Sequence, residues 1–288
     1  MKRILILVAM IGIAGVAGIV RSHSKTGDFD KFVSRNAAED TREEIRQSYE
    51  LTPGASVEIA NINGSIKIET SDSKTAEVLI ERRAVSHEAL TRRKIIVEAD
   101  AHNLRIHGEK GDVGFFERLF GRKPSERITL KLPRQIALHA KGVNGALIAG
   151  DIDGPIDVRG VNGKVQISSF SGAGEFKGIN GNISVGVKQV GSQGMELGGI
   201  NGNIELQLVD KLDADIDIHG INGSVIEDLS DVTLDRTRQG KYTGRIGNGG
   251  SPIYAKGING NIRFTRSAVA VEAESAVKKS DSADKSKE

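Results

Sequence analysis

Hydrophobic and polar residues alternate in short runs along most of the chain between residues 42 and 266. Before residue 143 the clearest runs are 56–70, 76–83, 94–100, 103–108 and 128–142. A period of two indicates strands that bury one face, and Pro133 predicts a strand boundary or an edge position. The pattern therefore predicts an all-β domain over 42–266, with little helix outside the N-terminal segment and 113–123.

A repeated Asn-Gly dipeptide organises the pattern, in the form [IV]-N-G-x-[ILV], and GINGNI itself occurs three times. The repeated asparagines are Asn63, Asn144, Asn162, Asn180, Asn201, Asn222 and Asn259. From Asn144 to Asn222 the spacings are 18, 18, 21 and 21 residues. The longer gaps of 81 and 37 residues are close to four and two such intervals. They predict further coils without the dipeptide, one of them at Gln239–Gly240.

Four positions of the repeat are apolar in nearly every copy, namely one and four residues before the asparagine and three and five after it. A hairpin meander also places Asn-Gly at its turns, but it need not keep the same columns at a fixed period. Columns in register predict coils that stack like on like. The predicted fold is a single-stranded β-helix, or solenoid, with coils of about 18–21 residues. Glycine suits corners with positive φ, and stacked asparagine amides can form a hydrogen-bonded ladder.

The two ends of the chain differ from this pattern. Lys2 and Arg3 precede the apolar stretch 4–20, which predicts a signal peptide or a membrane anchor in residues 1–20. The protein is therefore expected to be exported to the periplasm or cell surface, either free or anchored to the cytoplasmic membrane by 4–20. Residues 21–41 are predicted to be a linker, 42–266 the repeat domain, and 267–288 a disordered tail.

Composition argues against several classes of function. Lys and Arg number 40 against 38 Asp and Glu, so no strong field for nucleic acid is expected. The absence of cysteine excludes thiol catalysis and cysteine-ligated metals. No nucleophile, zinc-protease or phosphate-loop motif is present, and the acidic segment 150–157 lacks the ligand pattern of a calcium loop. The sequence predicts no catalytic residue, no metal site and no cofactor.

Two surface features are candidates for binding. Basic residues stand three positions before several repeat asparagines, and they are Lys141, Arg159, Lys177 and Lys256. This column would suit an anionic ligand, but an acidic column two residues further back would neutralise it by ion pairing. The second feature is an apolar stripe of a predicted short helix, formed by Phe115, Phe116, Leu119 and Phe120. It predicts either a helix that covers the stack or a contact with a membrane or partner.

The GINGNI repeats, the ITLKLP strand at 128–133 and the export-type N-terminus resemble the bacterial "putative adhesin" families, including the head GIN domain auto-transporter adhesins. The resemblance covers roughly 40–266 and implies an exported β-helix of the cell envelope, with no catalytic residues to transfer. The expected function is non-enzymatic binding or scaffolding of an envelope component, whether polysaccharide, lipid or protein. Envelope-stress sensing or signalling is one alternative. A β-helix polysaccharide lyase or hydrolase is another, and it would need acids and bases that converge on one groove.

Overall fold

The computed structural model describes residues 41–110, 124–209 and 211–267, and this part is almost entirely β-structure, as predicted. The strands are β1 Thr41–Glu50, β2 Ala55–Ala60, β3 Gly64–Ser71, β4 Thr75–Ala84, β5 Arg93–Ala99, β6 Asn103–Lys110, β7 Ser125–Pro133, β8 Ile136–Val143, β9 Leu147–Ile152, β10 Ile156–Val161, β11 Val165–Lys177, β12 Ile183–Asn201, β13 Ile204–Leu208, β14 Ala214–Asn222, β15 Val225–Glu227, β16 Val232–Arg238, β17 Lys241–Ile246, β18 Ser251–Asn259 and β19 Ile262–Arg266. They form one nearly closed sheet around a single hydrophobic core.

The one helix of these ranges, α1, spans His87–Arg92 and is capped by Ser86, whose hydroxyl accepts from the Ala89 amide at 3.2 Å. Within the described ranges, no helix is long and apolar enough to cross a membrane. The predicted signal or anchor, the Phe115–Phe120 stripe and most of the predicted tail lie outside the described residues.

The repeat positions stack in parallel and in register. The strand before each Asn-Gly corner pairs with its equivalent in the next copy, as in β8–β10, where Leu138 lies beside Ile156. The strand after the corner does the same, as in β9–β11, where Leu147 lies beside Val165. The four predicted apolar columns are buried in this way, apart from Val225 and Glu227 on the short strand β15. Stacking therefore supplies the core that a single copy lacks.

The order of the copies in space differs from their order along the chain at the C-terminal end. Strand β18 pairs with β12 on one side and with β14 on the other, so the copy containing Asn259 lies between those of Asn201 and Asn222. The prediction of an extra coil at Gln239–Gly240 was wrong. That dipeptide joins β16 and β17, an antiparallel hairpin whose strand β17 runs beside β14. Residues 247–250 then carry the chain past β14 to its other edge.

At the N-terminal end, too, the order of the strands in space differs from their order along the chain. The prediction of four coils between Asn63 and Asn144 was wrong. Strand β8 pairs directly with β2, while β6 and β7 lie on the opposite sides of β2 and β3. The strands β4 and β5 pair antiparallel with β7 and β6, and β1 completes the edge beside β4. Antiparallel strands thus end the parallel stack at both ends, where identical unpaired edges would otherwise be exposed.

Glycine is required at the corners because successive backbones approach closely there. A Cβ atom on Gly181 would lie 2.3 Å from the carbonyl oxygen of Gly163 in the neighbouring copy. Gly178, just before the corner, has φ of 63°, a conformation that side chains disfavour. These two constraints explain why the repeat carries glycine on both sides of its Ile-Asn pair.

Candidate binding surface

The seven repeat asparagines lie in one row along the stack. Each Nδ2 group donates to the Oδ1 atom of the preceding asparagine in space, at 2.9–3.2 Å. The order includes Asn201, Asn259 and then Asn222, which follows the strand order rather than the chain order. At the N-terminal end, Asn63 Nδ2 donates to the carbonyl of Pro124 at 2.8 Å. The amides are engaged with one another, which is an architectural use of these side chains.

Two outward rows of side chains flank the buried column on the strands before the corners. The base row contains, in spatial order, Lys141, Arg159, Lys177, Gly198, Lys256 and His219. The acid row contains His139, Asp157, Glu175, Glu196, Tyr254 and Asp217 in the same order. The parallel register places each residue beside its equivalent on the next strand, about 4.8 Å away.

The first half of the base row is paired with the acid row. Arg159 contacts Asp157 at 2.7 Å and Glu175 at 2.6 Å. Lys177 contacts Glu175 at 2.8 Å and Glu196 at 2.6 Å, while Lys141 lies 3.9 Å from Asp157. Each of these three cations therefore contacts an acid on its own strand or on the next one, and three positive charges face three negative charges. This arrangement favours neutralisation over an open anionic-ligand stripe at these three positions.

The ion pairs shift the titration of their members. The hydrogen bond from Lys177 is the main cause that holds the pKa of Glu175 below its ordinary value, and Arg159 adds to it. Conversely, hydrogen bonding to Glu175 raises the pKa values of Arg159 and Lys177. The charged forms of all three side chains are therefore favoured in the folded protein.

We predict that Glu175→Gln lowers the free energy of unfolding by at most about 1 kcal/mol at pH 7. Folding lowers the pKa of Glu175 from its ordinary value of 4.5. The contribution of Glu175 to stability is therefore present above pH 4.5 and is lost as pH falls through the lower pKa of the folded state. Urea unfolding of both proteins at pH 7 and pH 3 should show the difference shrinking at pH 3. A difference that is equal at both values would contradict the pairing.

The end of the base row on β18 and β14 differs from the paired part in its contacts with acids. Within the described ranges, Lys256 forms no ion pair, and His219 contacts Asp217 at 2.6 Å. The hairpin adds two cations, because Lys241 lies beside His219 and Arg238 lies beside Lys241. Tyr254 replaces an acid in the acid row, and its ring centroid is 5.9 Å from that of His219. The repeat spacing could not reveal Lys241 or Arg238, because they reach this row through antiparallel pairing.

Other candidate groups are held by local contacts. Asp151 accepts from the Ser169 hydroxyl at 2.6 Å and from Arg134 at 3.2 Å, and Asp153 lies 3.7 Å from Lys188. Across the residues that the structure describes, no three potential metal ligands cluster. A surface hollow of about 420 Å³ lies over β1, β4 and β7. Its charged residues Glu77 and Lys131 are paired with each other at 2.9 Å.

Comparisons with known proteins find weak structural similarity to solved structures. No family model matches the chain, and no curated protein matches it. A "putative cell adhesion protein" from Clostridium sporogenes shares 10% identity, with a TM-score of 0.38, over 78% of this chain and 100% of that one. A "putative adhesin" from Bacteroides fragilis shares 14% identity, with a TM-score of 0.35, over 77% of this chain and 97% of that one. Similarity at this level assigns neither a family nor a ligand to the chain.

Proposed function

We propose that this protein is a non-enzymatic binding or scaffolding module of the cell envelope, built as a single-stranded β-helix. The parallel register of β8, β10, β11, β12, β18 and β14 supports the β-helix. The coil length of 18–21 residues applies to the sequential copies between Asn144 and Asn201, and the antiparallel hairpins close the ends of the helix.

The observation that carries the function is the pair of outward rows. A ladder of hydrogen-bonded strands holds them at a fixed spacing along the stack, so their side chains form a rigid linear array. Such an array is suited to a ligand with repeating groups, because many weak contacts can form together without ordering a loop. Polymers and surfaces of the envelope have this repeating character.

Export can be tested separately from binding. A reporter that is active only outside the cytoplasm, fused after residue 266 of the full chain, is expected to be active. The same fusion lacking residues 2–20 is the control and should be inactive. Activity confined to the cytoplasm in the full fusion would contradict the envelope assignment. The mass of the mature N-terminus would distinguish cleavage of the segment from anchoring by it.

Binding is tested by sedimentation of the purified full-length protein with washed envelope fragments of the source cells. Saturable retention that is lost when the protein is unfolded by urea is expected. Retention that is absent, or unchanged by unfolding, would contradict a folded binding module. The same incubation reports on the enzyme alternative, since release of soluble saccharide from the fragments would show a lyase or hydrolase.

A further inference from the structure

We propose that the open cation row, defined as Lys256, His219, Lys241 and Arg238, binds a linear polyanion that carries phosphate groups. The four side chains belong to four neighbouring strands, β18, β14, β17 and β16. At about 4.8 Å between strands they span about 14 Å. This proposal names the ligand class for the envelope-binding function proposed above and rests on it.

Three of the four members of this row are free, unlike the cations at the other end of the base row, and the fourth, His219, contacts Asp217. Lys256, Lys241 and Arg238 form no ion pair with any carboxylate of the described residues, whereas Lys141, Arg159 and Lys177 each contact one or two. A free ammonium or guanidinium group can donate its hydrogen bonds to a ligand without first breaking an internal ion pair.

The acid row explains why these cations are free. Tyr254 and Thr243 occupy acid-row positions on β18 and β17, on either side of Asp217. Asp217 Oδ1 itself lies 2.6 Å from His219 Nε2. Asp235 continues the row on the outermost strand β16, beside Thr243. Three free cations therefore face two acids, one of which is already engaged, so the end of the row carries an excess of positive donors.

The surroundings favour a soluble polymer over a lipid bilayer. A bilayer contact combines basic residues with exposed apolar side chains that enter the interface. In the described ranges the large apolar residues that stand exposed are Val85 and Ile148, and neither lies on the strands of this row. A row of donors on neighbouring strands can contact several phosphates of one extended chain, and arginine and lysine are the usual phosphate partners.

The test measures binding of the full-length protein to inorganic polyphosphate of defined length, with neutral dextran as a second probe. Lys256→Gln with Lys241→Gln is expected to weaken polyphosphate binding about tenfold or more. The slope of log affinity against log salt should fall in magnitude, because fewer counterions are released. Arg159→Gln with Lys177→Gln is the matched control, since it removes the same charge from the part of the base row that is paired with acids. It is expected to weaken binding less than about threefold, because those cations are engaged with acids.

Four results would overturn the proposal. One is that the wild-type protein does not bind polyphosphate above its binding to dextran. Another is that both double variants lose affinity equally, which would indicate a general field. The third is that the Lys256/Lys241 variant loses binding only to vesicles of phosphatidylcholine and phosphatidylglycerol, which would indicate a lipid surface.

The fourth result separates this proposal from the envelope function. If the Lys256/Lys241 variant still sediments with envelope fragments like the wild type, the envelope function stands and the polyanion site fails. Equal melting midpoints of the Lys256/Lys241 variant and the wild type exclude misfolding as the cause.

Discussion

Replacing Ile200 by alanine is expected to lower the free energy of unfolding by about 2–5 kcal/mol. Ile200 is 1% exposed and lies in the core column one residue before the repeat asparagine, directly beside Ile258. Neighbouring backbones are joined by ladder hydrogen bonds, including Asn201 N to Ile179 O at 2.9 Å, so the stack cannot collapse into the space that the smaller side chain leaves. The loss therefore combines lost burial with a residual cavity.

The matched control for this prediction is Ile148→Ala. Ile148 lies on β9 of the same stack but faces outward and is 39% exposed. Its truncation is expected to change stability by less than about 0.5 kcal/mol. Urea unfolding of both variants measures the contrast. Similar losses in the two variants would show that Ile200 does not belong to a tightly packed column.

The core could be predicted from the sequence because the same columns recur at a regular interval. Ile62, Val143 and Ile179 are examples of one column, and all are buried. Stacking with identical register forces each position to the same side of the sheet, so a single rule covers many residues. Alternation also located the strands outside the later repeats: the run 76–83 is strand β4, whereas the runs 56–70 and 128–142 each contain two strands, β2 with β3 and β7 with β8.

The order of the copies could not be predicted in this way. Ile200, Ile221 and Ile258 are the same residue in equivalent columns, so stacking Asn222 or Asn259 next to Asn201 satisfies the pattern equally well. The choice is made by the hairpin of β16 and β17, which occupies one edge of β14 and leaves its other edge to β18. This pairing depends on strands β16 and β17, which carry no copy of the repeat.

The candidate site could be predicted only in part, because Lys241 and Arg238 reach it through the pairing of the hairpin strands. The basic column was visible in the sequence, and the structure shows three of its members paired with acids. Lys256, the last member of the row in sequence, lies between Gly198 and His219 in space, and Lys241 lies on the far side of His219. Strand β1 was missed because its sequence TREEIRQSYE has few apolar residues, and its place is fixed by antiparallel pairing with β4.

The second large effect is expected at the N-terminal end, where Glu126 substitutes for a missing coil. In the next copy, the Asn144 amide donates to the carbonyl of Ile62 at 2.8 Å. The equivalent amide of Asn63 donates instead to Glu126 Oε2 at 2.8 Å. Arg93 completes the site, with Nε 2.5 Å from Oε1 and Nη2 3.3 Å from Oε2. The Glu126 side chain has no exposed surface, and that of Arg93 is 13% exposed.

Glu126→Gln is therefore expected to lower the free energy of unfolding by about 3–5 kcal/mol, because it leaves the Arg93 charge nearly buried without its counter-ion. The new amide NH₂ group must also face a donor, either the Asn63 amide or the Arg93 guanidinium. Glu77→Gln is the control, since its partner Lys131 lies at 2.9 Å and both side chains are 56% exposed. That change should cost less than about 1 kcal/mol.

Urea unfolding of both variants, together with Arg93→Gln and the double variant Glu126→Gln/Arg93→Gln, gives the coupling energy of the buried pair. The double variant should lose less than the sum of the two single changes, and strict additivity would show that the pair does not hold this end of the stack together.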